Sequence, residues 1–330
     1  MTDIVFTKGR LIIMSFVLLV IGLFFLVKGA DFFVEGSSSI AKRFNIPSMV
    51  IGLTLVAFGT SAPEMAVSIS GSLNQANGIV FGNVVGSNIF NILFILGLSA
   101  FIRPIGIKTK TIIKEMPFAI LTTIALMLMV MDGIINGDPY SIIARSEGWI
   151  LLLFFAIYLY SMVEISVLGK EEYVDDAIVL MKPLKSVLFT LGGIAAVIFG
   201  ANLAVEGAID IAQMLGLSET LIGLTIVAIG TSLPELITSV VAAKKGENDI
   251  AIGNIIGSNI FNILFVLGIS GVIYPIDIAA ENFVDLWILF VSMVIVVPLM
   301  FTGKKLNRFE GAIMMLGYVG YMTFIIIRAI

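Results

Sequence analysis

Ile51–Glu64 reads IGLTLVAFGTSAPE and Ile222–Glu235 reads IGLTIVAIGTSLPE; the two stretches stand 171 residues apart and share 11 of 14 positions. The same offset relates GADFFVEG at Gly29–Gly36 to GANLAVEG at Gly200–Gly207. It also relates GNVVGSNIFNILFILGLSAFIRP at Gly82–Pro104 to GNIIGSNIFNILFVLGISGVIYP at Gly253–Pro275, with 16 of 23 positions identical. Three matches in one register define an internal repeat, which constrains the architecture before any single residue does.

The repeat is set in an apolar chain. Of 330 residues, 59% are hydrophobic and 13% charged, and the mean hydropathy is +1.10; a soluble domain averages about 45–50% and about 25%. Apolar runs of the roughly 20 residues needed to cross a bilayer core of roughly 30 Å recur throughout. They fall at roughly 11–33, 47–70, 78–101, 116–133, 148–166, 186–207, 218–241, 249–273, 285–302 and 309–328. The expectation is an all-α membrane protein of ten transmembrane helices, with residues 1–168 as a first five-helix repeat, 169–185 as a cytoplasmic linker and 186–330 as a second repeat. Five is odd, so the second copy enters the membrane from the opposite side. Such inverted repeats are related by a pseudo-two-fold axis in the membrane plane, and transporters built this way bind their substrates at the repeat interface near the midplane.

Positive residues mark the cytoplasmic side. With both termini outside, 14 of the 19 Lys and Arg residues fall in inside loops, among them Lys42, Arg103, Lys108, Lys244, Lys245 and Lys304. Four fall outside, and Lys28 lies within the first span. The apolar stretch that follows Lys8 and Arg10 reads as the first span rather than a cleaved leader, because the GADFFVEG that closes it has a counterpart in the second repeat. The mixed charges of Lys170–Asp176 lack the ligand spacing of an EF-hand and read as a solvated linker.

Cysteine and histidine are both absent. That excludes disulfides, thiolate chemistry, imidazole ligands and a Ser-His-Asp triad, so a bound metal must be held by oxygen, which suits calcium, magnesium and sodium. A net charge of -4 spread through loops gives no sign of a nucleic-acid partner.

Glu64 and Glu235 fall well inside the second and seventh spans, where an ionisable group costs on the order of 2.5–3.5 kcal/mol and is functional by default. Each follows a proline, which removes a helical hydrogen bond to the carbonyl four residues back, here Gly59 or Gly230. Broken backbone at membrane depth is tolerated where it lines a cavity. A carboxylate, freed carbonyls and the hydroxyls of Thr60, Ser61, Thr231 and Ser232 then form a set of oxygen ligands. In the third and eighth spans, Gly82, Gly86, Gly253 and Gly257 have the small-xxx-small spacing of close helix packing. Ser87 with Asn91, and Ser258 with Asn262, are i, i+4 pairs on one helical face and are read as lining the site. With both Glu ionised the site carries about -2, which one calcium or two sodium ions neutralise. An ion-free site leaves the two carboxylates repelling each other, so it is expected to refill or take up a proton before reorienting.

At these residues the chain resembles the cation/calcium exchanger superfamily, and within it the prokaryotic sodium/calcium antiporter branch. The resemblance covers essentially the whole chain through two copies each of GTSxPE and GNxxGSNIxN. It implies ten helices with both termini outside. It also implies that Glu64 and Glu235 share calcium, and that Thr60 and Thr231 offer it backbone oxygens. Ala57, Ala228, Ser61, Ser232, Ser87 and Ser258 would complete sodium sites, with Asn91 and Asn262 near the centre. Several relatives carry an aspartate where this chain has Asn262, which argues against potassium co-transport here. The short central loop leaves no room for the regulatory calcium-binding domains of large eukaryotic exchangers.

The function expected is therefore calcium/sodium antiport across the plasma (inner) membrane by alternating access, with calcium and sodium as cargo, no cofactor, no protein partner and no enzymatic activity. Calcium/proton antiport is the alternative within transporters. A passive cation channel or an intramembrane hydrolase with Glu64 and Glu235 as acid and base are the remote ones. Glu35 and Glu206 are placed near the ends of the first and sixth spans, as gating or helix-end residues. Trp149 and Trp287 read as interfacial aromatics.

Overall fold

A computed structural model describes residues 2–131, 135, 141–168, 180–214 and 228–329. In order, the helices are α1 (Thr2–Phe44), α2 (Ser48–Ile51), α3 (Ala57–Thr60), α4 (Ala62–Leu73), α5 (Asn77–Ile89), α6 (Leu96–Ile102), α7 (Met116–Val130) and α8 (Arg145–Leu168). Then follow α9 (Pro183–Met214), α10 (Ala228–Thr231), α11 (Leu233–Lys245), α12 (Asn248–Phe261), α13 (Gly268–Ile273), α14 (Ala280–Phe301) and α15 (Arg308–Ala329). Single π-helical turns, Gly52–Val56, Phe90–Ile95, Thr111–Glu115 and Asn262–Leu267, join several of these into longer rods. Among the described residues eight helices are long and apolar enough to span a membrane, and the bent pair Ser48–Thr60 and Ala62–Leu73 makes a ninth. The first half of the span expected at 218–241, and most of the expected linker, lie outside the described residues.

Spans match the apolar runs to within a few residues, with one correction. The first and sixth continue to Phe44 and Gln213, so Glu35 and Glu206 stand within helices rather than at their ends. The extension is polar yet buried: Ser37 and Ser39 have no exposure, and the Ser39 hydroxyl pairs with that of Ser186 on α9 at 2.8 Å. A window of hydropathy ends where serines begin, whereas the helix ends where its packing partner does.

Helices α1 and α9 lie antiparallel along a seam of glycines. Gly22, Gly29 and Gly36 face Gly200, Gly193 and Ser186, and a Cβ added at Gly22, Gly29, Gly193 or Gly200 would meet partner backbone at 2.5–2.8 Å. A spacing of seven is close to two helical turns, so these residues share one face, and glycine there lets backbones touch. The opposite faces show Phe16, Val20, Phe24, Leu188 and Leu191 outward, as lipid-facing surfaces do. The rods α5–α6 and α12–α13 form the centre. Every residue of α12 from Ile250 to Phe261 is buried, and a helix apolar all round is a core helix.

The repeats interlock at both ends. Strand β1 (Ile105–Gly106) pairs antiparallel with β4 (Lys305–Leu306), which precedes α15. The repeat-related strand β3 (Ile276–Asp277) pairs with β2 (Ile142–Ile143), which precedes α8. The β1 end gathers basic residues: Arg103 donates to the Lys244 carbonyl at 2.7 Å, and Lys108 pairs with Asp249.

Buried Tyr158 of α8 donates its hydroxyl to the Leu53 carbonyl, in the π-turn of the bent span, at 2.9 Å. Tyr158→Phe is expected to cost about 1 kcal/mol, read as a fall in Tm of about 2 °C in detergent with transport retained. An unchanged Tm would mean that the turn holds itself.

Candidate functional site

The prolines break both motif helices where the sequence predicts. Pro63 and Pro234 sit in the first turns of α4 and α11, and Ser61 (φ -82°, ψ 10°) and Ser232 (φ -90°, ψ 9°) leave helical geometry. The first break bends the span by 50°. Proline lacks an N–H and fits a first helical turn, where no partner is required, so each break opens a new helix instead of kinking an old one. Glu64 and Glu235 then fall in first turns, at the end of the helix that favours negative charge.

Both carboxylates are buried, at 0% and 1% exposure. Each is held by the other repeat: Ser61 donates to Glu235 Oε1 at 2.7 Å, and Ser232 to Glu64 Oε1 at 2.8 Å. Ser258 stands 3.0 Å from Ser61, and Ser87 3.1 Å from Ser232. Thr60 and Thr231 also interact with Glu235 and Glu64, respectively. The arrangement is two-fold and crossed, so neither repeat contains a complete site.

Asparagines fix the frame. Asn83 donates to the Glu64 carbonyl at 3.1 Å and to Ser68 at 2.9 Å; Asn254 donates to Ser239 at 2.9 Å and accepts the Thr60 hydroxyl at 2.9 Å. Across the axis, Asn88 and Asn259 each donate to the other's backbone carbonyl. Their side-chain oxygens accept from Asn262 at 3.1 Å and from Asn91 at 2.9 Å. Asn91 and Asn262 thereby spend their amide nitrogens, and their buried oxygens have no donor. The same holds for Oε2 of Glu64 and of Glu235. Buried acceptors are nearly always satisfied; these four, repeat-related in pairs, two from carboxylates and two from amides, are oxygens of the kind that could serve a hard cation.

Of the residues singled out in the sequence, Glu64, Glu235, Ser61, Ser232, Ser87, Ser258, Thr60, Thr231, Asn91 and Asn262 come together. The Ala57 carbonyl accepts the Ser61 N–H at 3.0 Å and the Thr60 hydroxyl at 3.4 Å. Ala228 opens α10, and its surroundings lie outside the described residues. Sequence marks Asn83, Asn88, Asn254 and Asn259, all within the repeated GNxxGSNIxN motif, as amides whose oxygens suit a cation; in the structure they instead hold the frame, their nitrogens donating to neighbouring backbone and side-chain groups. Among the described residues no three of His, Cys, Asp and Glu gather, so neutral oxygens must supply the rest of any coordination shell.

Glycines divide by role. Gly253 and Gly257 pack on Gly52, Leu53 and Ala57, with an added Cβ at 2.7–3.0 Å; residues 223–227, which relate by the repeat to most of that surface, lie outside the described residues. Gly59 and Gly230 abut Ile194 and Val205, where a Cβ would meet side-chain atoms at 1.8 and 2.5 Å. They seat the broken helices against α9. From the break at Pro63 and Thr231 a cavity of about 490 Å³ runs along α9 past Asn202, Glu206 and Asp210.

Two buried carboxylates at paired helix breaks, in a multi-pass α-helical protein and beside a largely apolar cavity that carries Asn202, Glu206 and Asp210, define a membrane cation transporter. The chain belongs to the sodium/calcium exchanger protein family, whose profile matches residues 14–163 and 185–327; its relatives are exchangers, not enzymes. It is similar to the sodium/calcium exchanger MaX1 of Methanosarcina acetivorans, at 34% identity over 95% of this chain and 99% of that one. Inner membrane protein YrbG of Escherichia coli is 37% identical over 79% and 80%. The solved sodium-calcium exchanger NCX_Mj, soaked with 10 mM Na+ and zero Ca2+, superposes with a TM-score of 0.81 at 34% identity, covering 94% of this chain and 99% of that one.

Proposed function

We propose that this protein exchanges calcium for sodium across the plasma (inner) membrane, by alternating access at the site between the two repeats. The observation that carries the reading is the crossed arrangement, in which Ser61 and Ser232 each hold the other repeat's carboxylate while Oε2 of Glu64 and of Glu235 remain free. Such a site is built from both repeats at once and lies between them, where transporters of repeated architecture bind their substrates and open alternately to either side.

In this reading Glu64 and Glu235 hold calcium with backbone oxygens of Thr60 and Thr231. Ser61, Ser232, Ser87 and Ser258, with carbonyls of Ala57 and Ala228, serve sodium, and Asn91 and Asn262 close the centre. The chain spans ten times, as residues 1–168 and an inverted 186–330 joined by a cytoplasmic linker at 169–185, with both termini outside. The same break at Ser61 and Ser232 supports this, as does the gathering of Arg103, Lys108 and Lys244 at one end. Asparagine at position 262 speaks against potassium co-transport.

The test is calcium-45 uptake into proteoliposomes. Loading with sodium is expected to drive uptake that a pH gradient alone does not. Uptake driven by the pH gradient without sodium would replace this reading by calcium/proton antiport, and flux without any countertransport would indicate a channel.

A further inference from the structure

The repeat breaks its own symmetry at the basic end. Lys245, in the last turn of α11, places Nζ 2.9 Å from Glu35 Oε1 and 3.3 Å from Asp31 Oδ1, and donates to the Asp31 backbone carbonyl at 3.0 Å. Asp31 and Glu35 are one turn apart on α1; Lys28 stands 3.8 Å from Asp31 and is more exposed. Helix α11 carries Glu235 in its first turn. The ion cluster therefore ties the far end of a carboxylate-bearing helix to α1.

The offset of 171 turns Asp31, Glu35 and Lys245 into Asn202, Glu206 and Asn74. Asn74 is turned onto its own helix, donating to the Ser70 carbonyl at 2.9 Å, so no cation bridges to α9 from that position. The two ends differ accordingly. Ala201, Val205 and Ile209 of α9 line the cavity of about 490 Å³ together with Glu206. Val205 and Ile209 are partly exposed, whereas their counterparts on α1, Val34 and Ser38, are 1% and 3% exposed; Ala201 and its counterpart Ala30 are both buried. Where the lysine is present the passage is shut, and where the repeat has asparagine it is open.

We propose that Lys245 is a tethered cation that latches the passage at the basic end: it occupies the carboxylates of Asp31 and Glu35, and must leave them before an ion crosses there. A cation arriving from that end competes with Lys245 for the same two carboxylates, so arrival and opening are coupled. The opposite passage has no counterpart to this lysine. Two nearly identical ion-binding motifs therefore work behind unequal doors, and the resting protein favours the state closed at the basic end. The inference rests on the alternating-access reading above.

The chain contains no cysteine, so a single Ser38→Cys reports on the passage without background. In detergent, its rate of reaction with a charged maleimide is expected to rise about two- to fivefold on adding Lys245→Gln, the range one partly exposed ion cluster supplies. Glu35→Gln is expected to give the same rise, Lys245→Arg to restore the slow rate, and Ile209→Cys on the cavity side to react no faster in the Lys245→Gln background. Equal Ser38→Cys rates in the native, Lys245→Gln and Glu35→Gln backgrounds would overturn the latch. Sodium-driven calcium-45 flux by the native protein separates the two ideas. Flux with unchanged labelling removes the latch and keeps the exchanger, whereas faster labelling in a protein that carries no flux keeps the latch and removes the exchanger.

Discussion

Glu64→Gln and Glu235→Gln are each expected to abolish sodium-driven calcium-45 uptake, by about a hundredfold or more. The substitution keeps the side chain's size, and its amide oxygen still accepts the hydrogen bond that Ser232 or Ser61 donates. What it removes is one negative charge from a buried site that has two. At an effective dielectric near 20, a unit charge about 4 Å away contributes about 4 kcal/mol per unit of cation charge, and a divalent ion feels it twice. Competition with hydration reduces that figure, but a remainder of about 3 kcal/mol already gives the hundredfold. Folding is not expected to suffer, because without ions the native pair of carboxylates repels and glutamine relieves it. Uptake that persists within about twofold in either variant, with Tm unchanged, would show that the ions bind elsewhere.

Gly193→Ala is expected to be strongly damaging although it adds a single methyl group away from the site, and Gly192→Ala, its neighbour, to be tolerated. At Gly193 the new Cβ would stand 2.5 Å from the Phe33 nitrogen and 2.8 Å from the Gly29 oxygen. Both obstacles are backbone, so no rotamer change relieves them and α1 must separate from α9. Overpacking of this kind costs about 1–3 kcal/mol, and the separation propagates to Gly22 and Gly200 further along the seam. A Cβ added at Gly192 would meet nothing within 4 Å beyond its own turn of helix, and alanine there gains up to about 1 kcal/mol in helix propensity. The measurements are folded yield and Tm in detergent, followed by calcium-45 uptake. Similar loss in both variants would mean that helix flexibility, rather than contact across the seam, is what glycine provides at these positions.

Sequence alone determined the repeat, the membrane class and the span positions among the described residues, and it singled out ten residues that the structure brings together. These follow from local chemistry: hydropathy marks spans, proline marks breaks, and a glutamate inside an apolar run demands a function. Three features needed the tertiary structure. The crossed pairing of Ser61 with Glu235 and of Ser232 with Glu64 joins residues 174 and 168 positions apart; a repeat offset states that two segments are alike, not which of them touch. The role of Asn88 and Asn259 exists only because the fold sets them side by side, each donating to the other's carbonyl. The latch at Lys245 arises where the repeats differ, and a lysine beyond a span's end reads as a solvated loop residue until α1, continuing past its apolar stretch to Phe44, brings Asp31 and Glu35 to meet it. In each case the deciding contact spans more than 165 residues, and its geometry is set by how closely glycine lets the helices approach, which no single segment encodes.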